Sequence, residues 1–182
     1  MAQLIYIVGA SGAGKDSLMH YARQRLNGSA PILFAHRYIT RPVAGASENH
    51  VAMTPEEFRL RKEGGLFALD WESHGLYYGI GREINDWMIN GFHVVVNGSR
   101  QYLAVAKERY PHLATIVIEA DPGIILQRLQ NRGREEAADI ASRIKRQPPL
   151  DIDGLIRISN NGLLHEGGEE LVNVLRTFPI GS

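Results

Sequence analysis

Cysteine is absent from all 182 residues. Disulfides, thiolate metal centres and cysteine nucleophiles are thereby excluded. An excess of either charge is also lacking. Twenty Lys and Arg balance 20 Asp and Glu, for a formal net charge of zero, which gives no global field toward nucleic acid or an anionic membrane. No apolar run approaches the ~20 residues that cross a bilayer. The short apolar run near the N-terminus lacks the basic flank and the length of a secretory signal, so the expectation is a soluble, cytoplasmic protein. The seven histidines show no metal-ligand spacing, and His20, His93, His112 and His165 read as structural. There is no internal repeat and no low-complexity segment. The length suits one domain with an ample core.

The most informative stretch that is present is Gly9, Ala10, Ser11, Gly12, Ala13, Gly14, Lys15, Asp16 and Ser17. It follows the apolar run Leu4 to Val8 and precedes the helical pattern Leu18 to Ala22. Strand, glycine-rich turn and helix start, with Gly-x4-Gly-Lys spacing, make a phosphate-binding P-loop. Successive backbone N–H groups and the positive end of a helix cradle a triphosphate. Lys15 then sits over the β- and γ-phosphates as a mobile cation. The expectation is an ATP- or GTP-type site. In the usual motif Ser or Thr follows the lysine and ligates Mg²⁺. Here Asp16 stands in that place and the hydroxyl arrives one residue later, at Ser17. Two readings stay open. Asp16 or Ser17 helps hold Mg²⁺, which favours oxygen ligands, or Asp16 is a first-turn acid favouring the helix dipole.

Apolar, β-rich runs alternate with helical patterns. Strands are expected over Leu4 to Val8, Ile32 to Ala35, Val94 to Val96, Thr115 to Ile118 and Leu155 to Ile158. Helices are expected over Lys15 to Leu26, Arg82 to Asn90, Arg100 to Tyr110, Asp121 to about Arg132, Ala137 to Arg146 and Glu169 to Thr177. Such alternation, with strands apolar throughout, argues for an α/β fold: a parallel sheet with helices on both faces. Ligands bind such sheets beyond the carboxyl ends of the strands. The P-loop, Asn97 to Arg100, Asp121 and Asn160-Asn161 should therefore line one edge. From about residue 36 to residue 90 the alternation breaks. Leu66 to Trp71 and Leu76 to Tyr78 read as short strands around a Ser73-His74-Gly75 turn. Thr54 as N-cap, Pro55 at the first helical position and Glu57 in a capping box start a helix there. This segment reads as an inserted acceptor-binding subdomain, with residues 1–35 and 91–182 as the core of a single domain.

Two clusters carry further chemistry. Arg128, Arg132, Arg134, Arg143, Lys145 and Arg146 face Glu135, Glu136 and Asp139 in number, a local excess of three positive charges in a neutral chain. A charge run is often only a solvated helix face. Beside a P-loop it reads as an arginine-rich lid over about residues 133–147, hinged at Gly133 and closing over ATP. The second cluster comprises His36-Arg37-Tyr38-Ile39-Thr40-Arg41-Pro42, Ser47-Glu48-Asn49-His50, Tyr77-Tyr78-Gly79, Arg82 and Asn97-Gly98-Ser99-Arg100. Guanidinium forks there suit phosphate oxygens.

With these residues the chain resembles the guanylate kinase-like branch of P-loop kinases across nearly its whole length. The matching motifs are Ile39-Thr40-Arg41-Pro42, Tyr78-Gly79, Arg128-Leu129-Gln130-Asn131-Arg132-Gly133, Arg143 and Asn160-Asn161. Two departures are informative. Asn97 stands where guanylate kinases have an acid, and a tyrosine of theirs is replaced around His50. Both positions serve guanine and nucleotide-phosphate recognition in that family. The chain is more similar still to the ribose 1,5-bisphosphate phosphokinases of bacterial phosphonate catabolism. That likeness lies at Gly14-Lys15-Asp16-Ser17, Ala35 to Arg41, Ser47 to His50, Gly75 to Gly79 and Val96 to Arg100.

This resemblance implies ATP-dependent transfer of the γ-phosphoryl group to the 1-phosphate of ribose 1,5-bisphosphate, and it favours a functional role for Asp16. It implies ATP as co-substrate on Gly9 to Ser17 with Arg128 and Asn160, and Mg²⁺ near Asp16 or Ser17. Lys15, Arg132, Arg134 and Arg143 are the expected catalytic cations. A base-free bisphosphate needs two anion subsites: Arg37, Arg41 and Tyr78 for one, and Arg82, Ser99 and Arg100 for the other. The rival readings are a nucleoside monophosphate kinase of guanylate type and a guanylate kinase-like binding module without catalysis. Intact Lys15 and the lid arginines argue against the latter.

Overall fold

The computed structural model describes residues 1–43, 49–133, 150 and 152–180. The expected helix from Ala137 to Arg146, the lid beyond Gly133, and Ser47 and Glu48 lie outside the described residues.

Leu4 to Val8 is apolar at every position, so it needs cover on both faces. It forms β1 (Leu4–Gly9), the centre of a five-stranded sheet. β1 lies between β7 (His93–Asn97) and β8 (Ala114–Glu119), with β2 (Ile32–Phe34) beyond β7 and β9 (Ile156–Ser159) beyond β8. Every pairing in this sheet is parallel. Because side chains alternate across a strand, Ile5 and Ile7 meet α1 (Lys15–Leu26) and α6 (Leu164–Arg176) through Leu18, Ala22, Leu171 and Leu175. Leu4, Tyr6 and Val8 fill the opposite face, against Ile84 of α3 (Glu83–Ile89) and Leu103 and Ala106 of α4 (Leu103–Arg109). His93, read as structural, is buried with Nδ1 accepting from the Gln3 N–H at 3.0 Å and Nε2 2.8 Å from the Pro179 carbonyl.

The interrupted region folds as a second sheet in the order β4-β3-β6-β5. It comprises β3 (Arg37–Ile39), β4 (His50–Ala52), β5 (Phe67–Ser73) and β6 (Leu76–Gly81), with α2 (Pro55–Glu63) between β4 and β5. Ala68, Leu69, Trp71 and Ile80 from this sheet share one core with Tyr6, Val8 and Val96. Thr54 caps α2, its hydroxyl accepting from the Glu57 N–H at 3.2 Å. The Glu57 carboxylate, expected to close the capping box, instead accepts from Arg61 at 2.9 Å.

α6 begins at Leu164 and not at the expected Glu169. The pair Gly167-Gly168 reads as a helix breaker in sequence, yet both glycines are buried inside this helix. A Cβ on Gly168 would come within 2.3 Å of the Tyr21 ring, so the pair permits close approach of α6 to α1. The Glu166 carboxylate accepts from the Leu163 N–H at 3.2 Å and closes the helix start.

Candidate active site

The carboxyl ends of β1, β7, β8 and β9 lie along one edge, as the alternation requires. The Gly98 N–H donates to Ile7 O at 2.9 Å and the Asn160 N–H to Glu119 O at 2.6 Å. The P-loop leaves β1 at this edge. Gly14 holds φ 88, a left-handed conformation that costs side-chain-bearing residues. A Cβ there would also lie 2.4 Å from Asn160 Nδ2. Behind the loop, Arg128 of α5 (Pro122–Asn131) donates to the carbonyls of Gly12 at 3.3 Å, Ala13 at 3.2 Å and Asn160 at 2.7 Å. Asn160 adds a bond to Ala13 O at 2.7 Å. Arg128 and Asn160, expected to touch ATP, are thus placed where they brace the loop that would hold it.

In front of the loop a cavity of about 400 Å³ is lined by Gly9, Ala10, Ser11, Gly12, Gly14, Lys15, Asp16 and Ser17 on one side. Arg37, Arg41, Tyr78 and Arg132 complete it, together with Ser73 and His74. A second cavity of about 500 Å³ shares Lys15, Arg37 and Tyr78 and extends past Trp71 to Ser99 and Arg100. Ala13 lies beneath, fully buried. The structure thus brings together Lys15, Arg132, Arg37, Arg41, Tyr78, Ser99 and Arg100. Arg82 stands apart: it precedes α3 and donates to Gly65 O at 3.3 Å, and neither cavity includes it. Arg134 and Arg143 lie outside the described residues.

Lys15 Nζ donates to Gly98 O at 3.2 Å. Burial lowers the Lys15 ammonium from the ordinary lysine value to about 8, opposed by the neighbouring Asp16 carboxylate and assisted by the Arg37 guanidinium. A phosphate bound beside it would favour the charged form and raise that value. Burial likewise holds the Arg100 guanidinium below its usual value. The loop that carries Ser99 and Arg100 is pinned from below, where Tyr6 OH donates to Ser99 O at 2.8 Å.

Asp16 Oδ1 accepts from Asn97 Nδ2 at 2.7 Å, and Asn97 Oδ1 is buried without a hydrogen-bond partner. Asp16 and Ser17 both line the cavity beside Lys15. This all-oxygen set fits Mg²⁺, which takes one or two protein ligands and completes its shell with phosphates and water. No cluster of three or more His, Asp or Glu able to hold a metal occurs among the described residues.

Trp71, Ser73 and His74 were not singled out in the sequence, where they read as strand and turn. They reach the cleft because β5 and β6 form a hairpin whose turn holds φ 51 at His74 and φ 75 at Gly75. Positive φ at both central residues is the mark of a tight two-residue turn, and the His-Gly pair was its signal.

A parallel sheet, a braced P-loop and an arginine-lined cleft define a P-loop protein of guanylate kinase-like architecture. A guanylate kinase from Anaplasma phagocytophilum superimposes with a TM-score of 0.66 at 19% identity, over 100% of this chain and 87% of that one. No protein-family model matches the chain. A ribose 1,5-bisphosphate phosphokinase PhnN from Thiobacillus denitrificans is 51% identical over 175 residues, 95% of this chain and 92% of that protein. A second protein of that name, from Desulfomicrobium baculatum, is 51% identical over 177 residues, 96% and 95% of the two chains. The chain belongs to the ribose 1,5-bisphosphate phosphokinase family. No helix among the described residues is long and apolar enough to cross a membrane.

Proposed function

We propose that the chain is a cytoplasmic, ATP-dependent phosphotransferase that moves the γ-phosphoryl group of ATP onto the 1-phosphate of ribose 1,5-bisphosphate. The products are 5-phospho-α-D-ribose 1-diphosphate and ADP. One observation carries the reading: Lys15 of the P-loop shares a cleft with Arg37, Arg41, Tyr78 and Arg100, so a triphosphate and a second phosphate compound can meet there. Relatives named for this reaction support it.

The nucleophile is an oxygen of the 1-phosphate, already ionised because a phosphate monoester loses its second proton near pH 6. No general base is needed. The new O–P bond forms as the bond from the γ-phosphorus to the β,γ-bridging oxygen breaks, and the electron pair leaves with ADP. Catalysis is then positioning and charge stabilisation. The P-loop N–H groups and Lys15 hold the β- and γ-phosphates. Arg37, Arg41 and Tyr78 hold one acceptor phosphate, and Ser99 and Arg100 the other. Arg132, joined by Arg134 and Arg143, stabilises the migrating group. Asp16 and Ser17 would hold Mg²⁺, which supplies neutralisation of phosphate charge. From the 36–90 segment, Arg37, Arg41, Trp71 and Tyr78 line the acceptor side of the cleft.

The test is phosphorus NMR of the protein with Mg-ATP and, in parallel, ribose 1,5-bisphosphate, ribose 5-phosphate or GMP. A new diphosphate signal with the bisphosphate alone is expected. GDP formed from GMP, with no reaction of the sugar, would overturn the assignment.

A further inference from the structure

Trp71 lies in the wall of the acceptor cavity. β5 and β6 pair it directly with Tyr78, which sets both rings on one face of the sheet. The two rings are parallel within 2°, with centroids 5.5 Å apart. Tyr102 stacks on Trp71 at 5.6 Å and 29°. The Arg37 guanidinium lies over the Tyr78 ring, 5.3 Å from its centroid. The stack therefore runs Arg37, Tyr78, Trp71, Tyr102, and 9% of Trp71 remains exposed.

A nucleobase is gripped by laying its face on an aromatic or guanidinium plane and by bonds to its polar edge. In this cavity the Tyr78 and Trp71 rings are each covered on both faces by their neighbours in the stack. The remaining walls present Ser73, Ser99 and Arg100 beside Glu72, His74 and Gln101; the hydroxyls and the guanidinium suit sugar hydroxyls and phosphates. Arg37 is drawn into the stack yet still lines both cavities, so the same contact that closes the aromatic plane also positions a phosphate-binding fork.

We infer that Trp71 selects the acceptor class: it completes the stack from the protein side, denies a base its plane, and reserves the cavity for a base-free sugar phosphate. This deepens the sugar bisphosphate reading above and rests on it. The indole acts by shape and stacking, not on the reacting atoms, so its removal reads in acceptor KM and acceptor preference more than in kcat.

The test compares wild type, Trp71→Ala and Trp71→Phe with ribose 1,5-bisphosphate, GMP and UMP. For Trp71→Ala, kcat/KM for the sugar should fall and that for the nucleotides rise, each by about tenfold. Added indole should refill the gap and restore the sugar preference, while Trp71→Phe keeps it. A sugar-to-nucleotide ratio in Trp71→Ala within about threefold of wild type would sink the inference. A second measurement needs no variant. Tryptophan fluorescence of wild type, saturated with a non-hydrolysable ATP analogue, is titrated with ribose 5-phosphate, GMP and UMP. The base should add no affinity; nucleotides binding about tenfold tighter than ribose 5-phosphate would overturn the inference. Wild type inert toward ribose 1,5-bisphosphate would instead sink the function proposed above. Wild type active with an unshifted ratio sinks the Trp71 role alone.

Discussion

Lys15 carries an ammonium lowered to about 8 by burial, and its sign of charge decides nucleotide affinity. Below about pH 8 it is protonated and attracts the phosphates; above, it is neutral and the phosphates lose a cation. ATP affinity should therefore fall about tenfold between pH 7 and pH 9, provided bound phosphate raises the value well above 9. In Lys15→Arg, which stays charged, calorimetric titration should show no such slope. Two arginines four residues apart make a sharper contrast. Arg132 lines the cleft, so Arg132→Ala should lose on the order of 10²- to 10⁵-fold in turnover, with little change in stability. Arg128 instead donates to Gly12, Ala13 and Asn160 carbonyls, so Arg128→Ala should destabilise by about 1.5–3 kcal/mol and raise the KM for ATP. If melting curves showed Arg132→Ala to be the destabilised variant, the two roles would be exchanged. Sequence could place both arginines on one helix and beside one loop. It could not tell the face of the loop each meets, because that depends on Asn160 arriving from a distant strand.

Helices and strands with a strong pattern were legible: β1, β7 and β8 as apolar runs, α1 from its P-loop, α5 from Asp121-Pro122. The failures have two causes: a tertiary contact that overrode a local signal, and elements too short to carry one. Gly167-Gly168 is helical because α6 presses against Tyr21, and three-residue strands such as β3 and β4 are too short to show a period. The same substitution should consequently act with opposite signs in two helices. Gly168→Ala gains up to about 1 kcal/mol of helix propensity. It also drives a methyl into a Tyr21 ring whose hydroxyl is tied to Glu169 at 2.8 Å, and overpacking of that kind costs about 1–3 kcal/mol. Gly123 in the first turn of α5 has nothing within 4 Å of a built Cβ, so Gly123→Ala should gain about 0.5 kcal/mol. At about 2–4 °C per kcal/mol for a chain of this size, Gly168→Ala should melt several degrees below wild type and Gly123→Ala slightly above it. A more stable Gly168→Ala would mean that α6 does not need the close approach.

At the scale of the whole molecule, the acceptor side and the phosphate side divide labour while sharing one core. Ala68, Leu69, Trp71 and Ile80 of the second sheet are buried with Tyr6, Val8 and Val96 of the first. Opening one sheet would expose apolar surface of the other, so the two cannot unfold independently without a cost that each would otherwise avoid. The positions of the two tryptophans make this testable. Trp71 and Trp87 both pack in the shared core, on the acceptor side, whereas much of the helical signal comes from α1 and α6 on the far face. Tryptophan fluorescence and far-ultraviolet circular dichroism thus watch opposite faces of the central sheet. In urea the two transitions should coincide in midpoint and slope. Val96→Ala, which removes buried volume at the junction, should move both midpoints together, for a loss of about 1–3 kcal/mol. Fluorescence melting well before the helical signal would show that the acceptor side is a separable unit, and the shared core would then be a contact between two units and not the centre of one.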